Sequence, residues 1–486
     1  MIIGVDVGTS VTKASLLGRD GAAKLTRSVR STLHRPAPGL VEQDLDEVVD
    51  SVVQVVRQVA TAATEPVQAL AITGQGDGLW LRDERGRSVG RAISWLDARA
   101  ADVLRDWESG GVQRKVHALT GSGMFPGSAG PLLAHLAEHE PERLQRAAVA
   151  GYCVDAIVQR FTGEITVDAS DASMPFLDVP AREYSSEALQ ACGLAEHRRL
   201  LAETTPVGKL FALSGEAAAE LGLPSGLPVS AGPFDLPACA FGSGVGEVGD
   251  GSLVIGTTLG CQVLRDEVVI DPHGEPAGMW LATPIPQRYL RVMPAMVGTA
   301  NLDWVLAMTG SSVDQLETLL AQSEPGSGGV SALSFLSSSG ERAPFVDSRA
   351  RGQFTGLSLE TTPADLVRAM CEAVAYAARH NLESAGLSGE VAACGGGARS
   401  AAWSQIFANV LGRSLHVPHE EGVGARGAAM TAWDALGEPV DRDQWAADRR
   451  VVRPDPRAVE FYDRGYHDYL TAIERARPHW APVEEA

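Results

Sequence analysis

The sequence predicts an α/β protein of two similarly built lobes, each a mixed β-sheet flanked by helices. Three observations carry this. The chain opens on an apolar strand, a tight Gly-Thr-Ser turn and a second strand within residues 1–13. A third extended stretch, an amphipathic helix and a further apolar strand follow, an order that suits a mixed sheet with helices packed on it. After a glycine-rich link, residues 252–264 repeat the strand, Gly-Thr turn and strand, so the second half starts as the first did.

In the opening stretch Val and Ile favour the pleated backbone, and Gly8 lets amide N–H groups approach a ligand without a side chain in the way. Asp6 ends the first strand where a carboxylate could hold a metal ion, and Lys13 adds a positive charge nearby. Taken alone, the same residues read equally as a plain hairpin turn. After the turn Gly18-Arg-Asp-Gly21 comes an extended stretch over 24–32. Asp44 and Glu47 then have capping-box spacing. Leu45, Val48, Val49, Val52, Val55, Val56 and Val59 follow on one helical face. The strand expected at 67–73 ends in Gly74-Gln75-Gly76-Asp77-Gly78, at the carboxyl end where open α/β sheets bind ligands. Gln75 and Asp77 offer an amide and a carboxylate to a polyhydroxylated molecule, and a surface turn is the alternative. Trp95, Asp97 and Arg99 add an aromatic face with planar polar groups, which suits a sugar as well as a core position suits Trp95.

Residues 131–139 and 145–161 have helical spacing, and the polar run from Thr166 to Ser173 has no chemistry that residue type alone assigns. Asp235 is the one carboxylate in a long run of small and apolar residues, 230–242. A buried, unpaired acid is costly, so it reads as a catalytic base, a metal ligand or a helix N-cap. The following Gly244, Gly246 and Gly249 form a G-x-G-x-x-G. The pattern around them opposes a dinucleotide site, because a strand and not a helix follows. The second half continues with an extended segment at 289–296, a helix near 301–308 and a long helix from Thr362-Pro363 that turns Leu366, Met370, Ala373, Val374 and Ala377 inward. A strand from Val391 then opens into Gly395, Gly396 and Gly397. Bare backbone there gives a flat purine close access, and a helix through Trp403, Phe407 and Asn409 follows. A further helix starts near Gly422.

Composition excludes several classes. With 486 residues the chain has length for two to four domains. A formal net charge of −20 and no dense basic patch oppose nucleic-acid binding. No apolar run approaches membrane-spanning length and the start has no signal-like region, so a cytoplasmic protein without membrane contact is expected. The six cysteines are scattered, with no C-x-x-C pair, as in a reducing compartment.

In order along the chain stand Asp6-Val-Gly-Thr-Ser10, Gly74-Gln-Gly-Asp-Gly78, Trp95-Leu-Asp97, Gly232-Pro-Phe-Asp235, Gly256-Thr-Thr258, Gly340-Glu-Arg-Ala-Pro344 and Cys394-Gly-Gly-Gly-Ala-Arg-Ser400. This ordered set resembles the FGGY carbohydrate kinases of the sugar kinase and actin superfamily, over nearly the whole length. The resemblance implies two actin-like (RNase H-like) lobes with the active-site cleft between them. Residues 1–244 would carry the acceptor site, the first phosphate loop and the base, and 245–486 the ATP and adenine site. It implies ATP and Mg²⁺ as cofactors, with Asp6 near the metal. Gly8, Thr9, Ser10, Lys13, Gly256, Thr257 and Thr258 would lie about the phosphates, and Gly396, Gly397, Ser400 and Asn409 about the adenine. Asp235 matches the family's general base. Gln75, Gly76, Asp77, Trp95, Asp97 and Asp235 would wall the acceptor pocket.

The implied reaction is phosphorylation of a terminal hydroxyl on a small ketose or polyol. The 74–78 loop departs from the Asn-Gln-Arg-Glu type of glycerol kinases and from the Gly-Gln-Met-His-Gly of xylulokinases, and looks more like the L-xylulose and erythritol kinase branch. A small-molecule acceptor is the expected partner, and a homodimer is compatible with the family. A non-catalytic actin-like ATP-binding protein and an NAD-dependent oxidoreductase are the alternatives. Asp77 and Asp235 count against the first, and the strand after Gly249 counts against the second.

Overall fold

A computed structural model describes residues 1–420 and 422–480 and divides into two compact units. The first gathers 1–246, 265–291 and 420–448, and the second 247–264, 292–419 and 449–486. Each unit therefore draws on more than one stretch of the chain. One reason is the helix Val423–Ala435, whose small residues seat it on the opening strand. A Cβ on Gly4 would lie 2.3 Å from the Ala425 carbonyl oxygen, so backbone meets backbone there. Ala428, Ala429, Met430, Ala432 and Trp433 form a core cluster with Ile2, Leu17, Ala69 and Ala71.

The first unit is built on a six-stranded sheet. From one edge it runs Leu210–Ala212, Pro228–Ala231, Ala69–Gly74, Ile2–Val7, Val11–Leu17 and Ala23–Arg30. Pro228–Ala231, Ala69–Gly74 and Ile2–Val7 are neighbours and parallel. The loops that leave their carboxyl ends, at 8–10, 75–78 and 232–235, thus emerge along one edge of the sheet. The helix Leu45–Ala60 buries all seven of the expected apolar residues. Asp44 caps it by accepting from the N–H groups of Asp46 and Glu47, while the Glu47 carboxylate pairs with His34 at 2.9 Å.

The helical spacing over 145–161 conceals a strand. The chain forms the helix Pro141–Arg146, the strand Val149–Gly151 and the helix Cys153–Thr162. Val149–Gly151 pairs antiparallel with Trp80–Arg82, and this long-range pairing interrupts the local period.

In the second unit Gly251–Ile255 pairs antiparallel with Leu259–Arg265 and parallel with Val391–Cys394, and Leu415–Pro418 and Arg449–Val452 continue the sheet. The helix Pro363–Ser384 starts from a capping box of Thr362 and Asp365. Met370, Ala373, Val374 and Ala377 are buried, whereas Leu366 is only half-buried and Val367 takes the inward place. Gly244 and Gly249 sit at φ +102° and +94° in turns between the helix Asp235–Gly242 and the strand Gly251–Ile255. Helix then strand is the reverse of a dinucleotide-binding turn. Among the described residues no helix is long and apolar enough to cross a membrane, and all six cysteines are free thiols.

Candidate active site

The first of the three loops is held from behind. Gly8 N–H donates to the Val11 carbonyl at 3.1 Å, the Ser31 hydroxyl donates to the Gly8 carbonyl at 3.1 Å, and Ser31 N–H donates to the Ser10 carbonyl at 2.9 Å. Ser10 is exposed and Thr9 half-buried. Asp6 stands opposite Lys13 in the antiparallel register. Burial pushes the Asp6 carboxyl up to about 6, and the Lys13 ammonium opposes that rise. A Cβ on Gly424 would come within 2.6 Å of Asp6 Oδ2, so the missing side chain keeps that carboxylate uncovered on one side. Among the described residues no three His, Cys, Asp or Glu side chains cluster as a complete metal cage. One carboxylate in such a niche fits Mg²⁺, which keeps most of its waters and commonly takes one or two protein carboxylates beside substrate phosphates.

In the second loop Asp77 adopts φ +56° and Gly78 φ +75°. A Cβ on Gly78 would lie 2.6 Å from the Ile93 carbonyl oxygen, so glycine is required there on both counts. Gln75 is buried, and its Nε2 donates to Gln43 Oε1 at 2.9 Å. Gly76 lies beneath the Phe234 ring, where an added Cβ would come within 2.7 Å. The second and third loops are therefore packed on each other. Trp95 Nε1–H donates to the Thr9 hydroxyl at 2.8 Å. Asp97, in contrast, keeps its carboxylate out of solvent: Oδ2 accepts from Val41 N–H at 2.6 Å and Oδ1 from Arg99 Nε at 2.9 Å.

The third loop turns through a cis Gly232–Pro233 bond, and Asp235 is the first residue of the helix Asp235–Gly242. The residue before it, Phe234, is the N-cap, so Asp235 is not the cap. Behind the loop lies the polar run from Thr166 to Ser173, to which residue type assigned no chemistry. Phe234 N–H donates to the Ser170 hydroxyl at 3.1 Å, and Ser170 N–H to Asp168 Oδ1 at 2.8 Å. A Cβ on Gly232 would lie 2.5 Å from the Asp168 carboxyl carbon. Burial pushes the Asp168 carboxyl up to about 6, and drives Asp171 well above the carboxylate range with Asp168, Asp155, Asp235 and Asp77 all adding to the rise. Both Asp171 oxygens are buried without a hydrogen-bond partner. Gln43, Asp168, Ser170 and Asp171 thus lie behind the second and third loops, and sequence reasoning passed over them. The signal available was a run of hydroxyls and acids inside an apolar context.

The second unit repeats the arrangement. The 256–258 turn leaves the carboxyl end of Gly251–Ile255, and the glycines 395–397 leave that of its parallel neighbour, Val391–Cys394. Gly256 N–H donates to the Thr258 carbonyl at 3.1 Å, and Gly298 N–H to the Thr257 carbonyl at 2.7 Å. Thr257 is exposed. Gly396 has open space where a Cβ would stand, whereas one on Gly397 would lie 2.3 Å from Ile255 Cγ2. Ser400 caps the helix Ala401–Leu411, and its hydroxyl donates to Glu317 at 2.6 Å. Asn409 is buried, with Oδ1 accepting from Gln405 Nε2 and from Asp455 N–H, each at 2.9 Å.

With loops, strands and buried acids in this arrangement, comparison with known proteins is decisive. The N-terminal domain of the FGGY family of carbohydrate kinases matches residues 1–242, and the C-terminal domain matches 251–436. The chain belongs to the FGGY carbohydrate kinases. It is 33% identical to the erythritol kinase of Brucella abortus, over 99% of this chain and 97% of that protein. It is also 33% identical to the xylulose kinase of Escherichia coli K12, over 89% of each. Among solved structures, xylulose kinase from Rhodospirillum rubrum superposes with a TM-score of 0.87 at 28% identity, covering 99% of both chains. The ligand-bound xylulose kinase from Lactobacillus acidophilus reaches 0.90 at 21% identity, covering 98% of both chains, a likeness of fold. The protein is accordingly a kinase of the sugar and polyol class, and sugar kinases of this family use ATP, usually with Mg²⁺.

Proposed function

We propose that this FGGY kinase transfers the γ-phosphoryl group of ATP to a terminal hydroxyl of a small, uncharged ketose or polyol resembling xylulose or erythritol, with Asp235 as general base. One observation carries this reading: the 75–78 and 232–235 loops leave adjacent parallel strands and pack on each other through Gly76 and Phe234. An amide from Gln75, carboxyls from Asp77 and Asp235 and an indole from Trp95 then belong to one edge of one unit. Such groups accept from and stack on a polyhydroxylated chain. The full-length similarity to an erythritol kinase and the shorter match to a xylulose kinase support the same acceptor class.

In the proposed reaction Asp235 orients the acceptor hydroxyl and takes its proton as the oxygen attacks. General bases of this kind contribute about 10²–10⁴ in rate. Phosphoryl transfer otherwise asks mainly for positioning and charge stabilisation. The Gly8 and Gly256 N–H groups are bonded within their own turns, so the remaining amides, of residues 9–10 and 257–258, hold phosphate oxygens together with the Ser10 and Thr257 hydroxyls. Asp6 would hold magnesium, which neutralises charge on the phosphates when bound. Gly396 gives the adenine access to bare backbone, while Gly397 lets the turn pack on Ile255. Asp97 positions the wall through Val41 and Arg99 and does not touch the acceptor. Ser400 and Asn409 shape the adenine end through the helix Ala401–Leu411.

The test is ADP release with Mg²⁺ across erythritol, other tetritols, both xylulose enantiomers, ribulose and glycerol. Acceptor-dependent release with a four- or five-carbon neutral acceptor is expected, and release with none of them would overturn the reading.

A further inference from the structure

The resemblance assigns Thr9 to the phosphates, yet its hydroxyl faces other partners. Thr9 Oγ1 donates to Gln75 Oε1 at 2.9 Å and accepts from Trp95 Nε1–H at 2.8 Å. A threonine hydroxyl has one proton to give, and here it goes to the acceptor loop. The Gln75 amide is fixed in turn by Gln43 at its other end, where Nε2 donates to Oε1 at 2.9 Å. Four side chains from four separate parts of the chain, Trp95, Thr9, Gln75 and Gln43, thus form one hydrogen-bonded line. The partners of Thr9 lie 66 and 86 residues away in sequence. Ser10, next in the same turn, is the exposed hydroxyl.

We infer that Thr9 is a positioning residue for the acceptor pocket: its hydroxyl fixes the Gln75 amide and the Trp95 ring, while phosphate contact in this turn falls to Ser10 and the backbone. This rests on the acceptor site proposed above. The physical consequence follows from the inventory of donors. Without the hydroxyl, the indole N–H and the Gln75 carbonyl lose their shared partner, and both side chains gain freedom they would have to surrender when an acceptor binds. The backbone of the turn is unaffected, since its Gly8, Val11 and Ser31 bonds do not involve the Thr9 side chain. Methyl packing survives in Thr9→Val and the hydroxyl survives in Thr9→Ser, so the pair separates shape from hydrogen bonding.

The experiment uses the full chain and three proteins, wild type, Thr9→Val and Thr9→Ser, with melting temperatures confirming folding. KM is measured for ATP and for the best acceptor of the panel, and ATP binding is titrated calorimetrically without acceptor. Thr9→Val is expected to raise acceptor KM by about tenfold, as for two neutral hydrogen bonds, and to leave ATP KM and ATP binding within about twofold. Thr9→Ser is expected to stay near wild type. A loss of ATP affinity in Thr9→Val equal to or larger than the loss for acceptor, or Thr9→Ser as damaged as Thr9→Val, would overturn the inference. If Thr9→Val does not fold, Thr9→Ala removes the same hydroxyl with less bulk and is read by the same split. A wild type that releases ADP with no acceptor overturns the acceptor reading instead. The calorimetric arm then still decides whether the Thr9 hydroxyl belongs to the phosphates.

Discussion

The Arg82 guanidinium donates to the Asp155 carboxylate at 2.7 Å with both side chains out of solvent. Arg82 Nε also donates to Gln159 at 2.8 Å, and Asp155 Oδ1 accepts from Tyr152 N–H at 2.7 Å. The pair ties the strand Trp80–Arg82, which follows the 75–78 loop, to the helix Cys153–Thr162, whose first residue touches Gln75. Removing one partner of a buried ion pair costs about 3–5 kcal/mol, because the other charge is left uncompensated. Arg82→Leu should therefore lower the melting temperature at pH 8 by on the order of 10 °C. Burial already holds the Asp155 carboxyl above its usual value, with Arg82 opposing, and the variant raises it further. A raised folded value means that the deficit shrinks as pH falls through it and the acid takes up a proton. Melts of both proteins at pH 8 and pH 5 check this. An equal deficit at the two pH values would contradict it.

Asp235→Asn separates binding from chemistry. Phe234 and not Asp235 is the N-cap, so the helix Asp235–Gly242 keeps its start and the protein should melt as wild type does. Turnover should fall by about 10²–10⁴, with calorimetric ATP affinity near that of wild type. A variant that keeps its turnover would remove Asp235 from the proton chemistry.

What the sequence makes legible is local. Valines 48, 49, 52, 55, 56 and 59 declare a helical face, and they are buried in one. Asp235 stands out because no other acid shares its apolar run. What stays hidden depends on partners far along the chain. The strand Val149–Gly151 looks helical until Trp80–Arg82 is beside it. Nothing in the sequence shows that Gln75 and Trp95, 66 and 86 residues away, meet the Thr9 hydroxyl. Asp97 is the instructive middle case, since Arg99, which binds its carboxylate, is only two residues away. A carboxylate with a guanidinium that close is as readily a structural knot as a sugar contact.

Charge should set the acceptor class. Asp171 lies within electrostatic reach of both Asp77 and Asp235, so three acids share this end of the first unit. Hydroxyl donors suit such a wall; with Asp171 held in its protonated form by burial, an anionic acceptor meets the like charge of Asp77 and Asp235 there. D-gluconate is therefore expected to give ADP release at least tenfold below that with the best neutral acceptor, compared as kcat/KM at equal ionic strength. Comparable values for gluconate would show that the acids do not face the acceptor.

Gly396 and Gly397 invite opposite outcomes from the same substitution. Gly397 is packed, with Ile255 Cγ2 at 2.3 Å and the Trp403 ring at 3.0 Å from an added Cβ. Gly397→Ala should cost about 1–3 kcal/mol by overpacking. Gly396 is exposed and has nothing within 4 Å of that position, so Gly396→Ala should leave stability within about 0.5 kcal/mol. If the adenine rests on this bare backbone, the new methyl group stands where the ring should lie. Gly396→Ala is then expected to weaken ATP binding by about tenfold or more while acceptor KM at saturating ATP stays near wild type. Calorimetric titration of ATP into the variant checks it, and unchanged affinity would move the adenine away from Gly396.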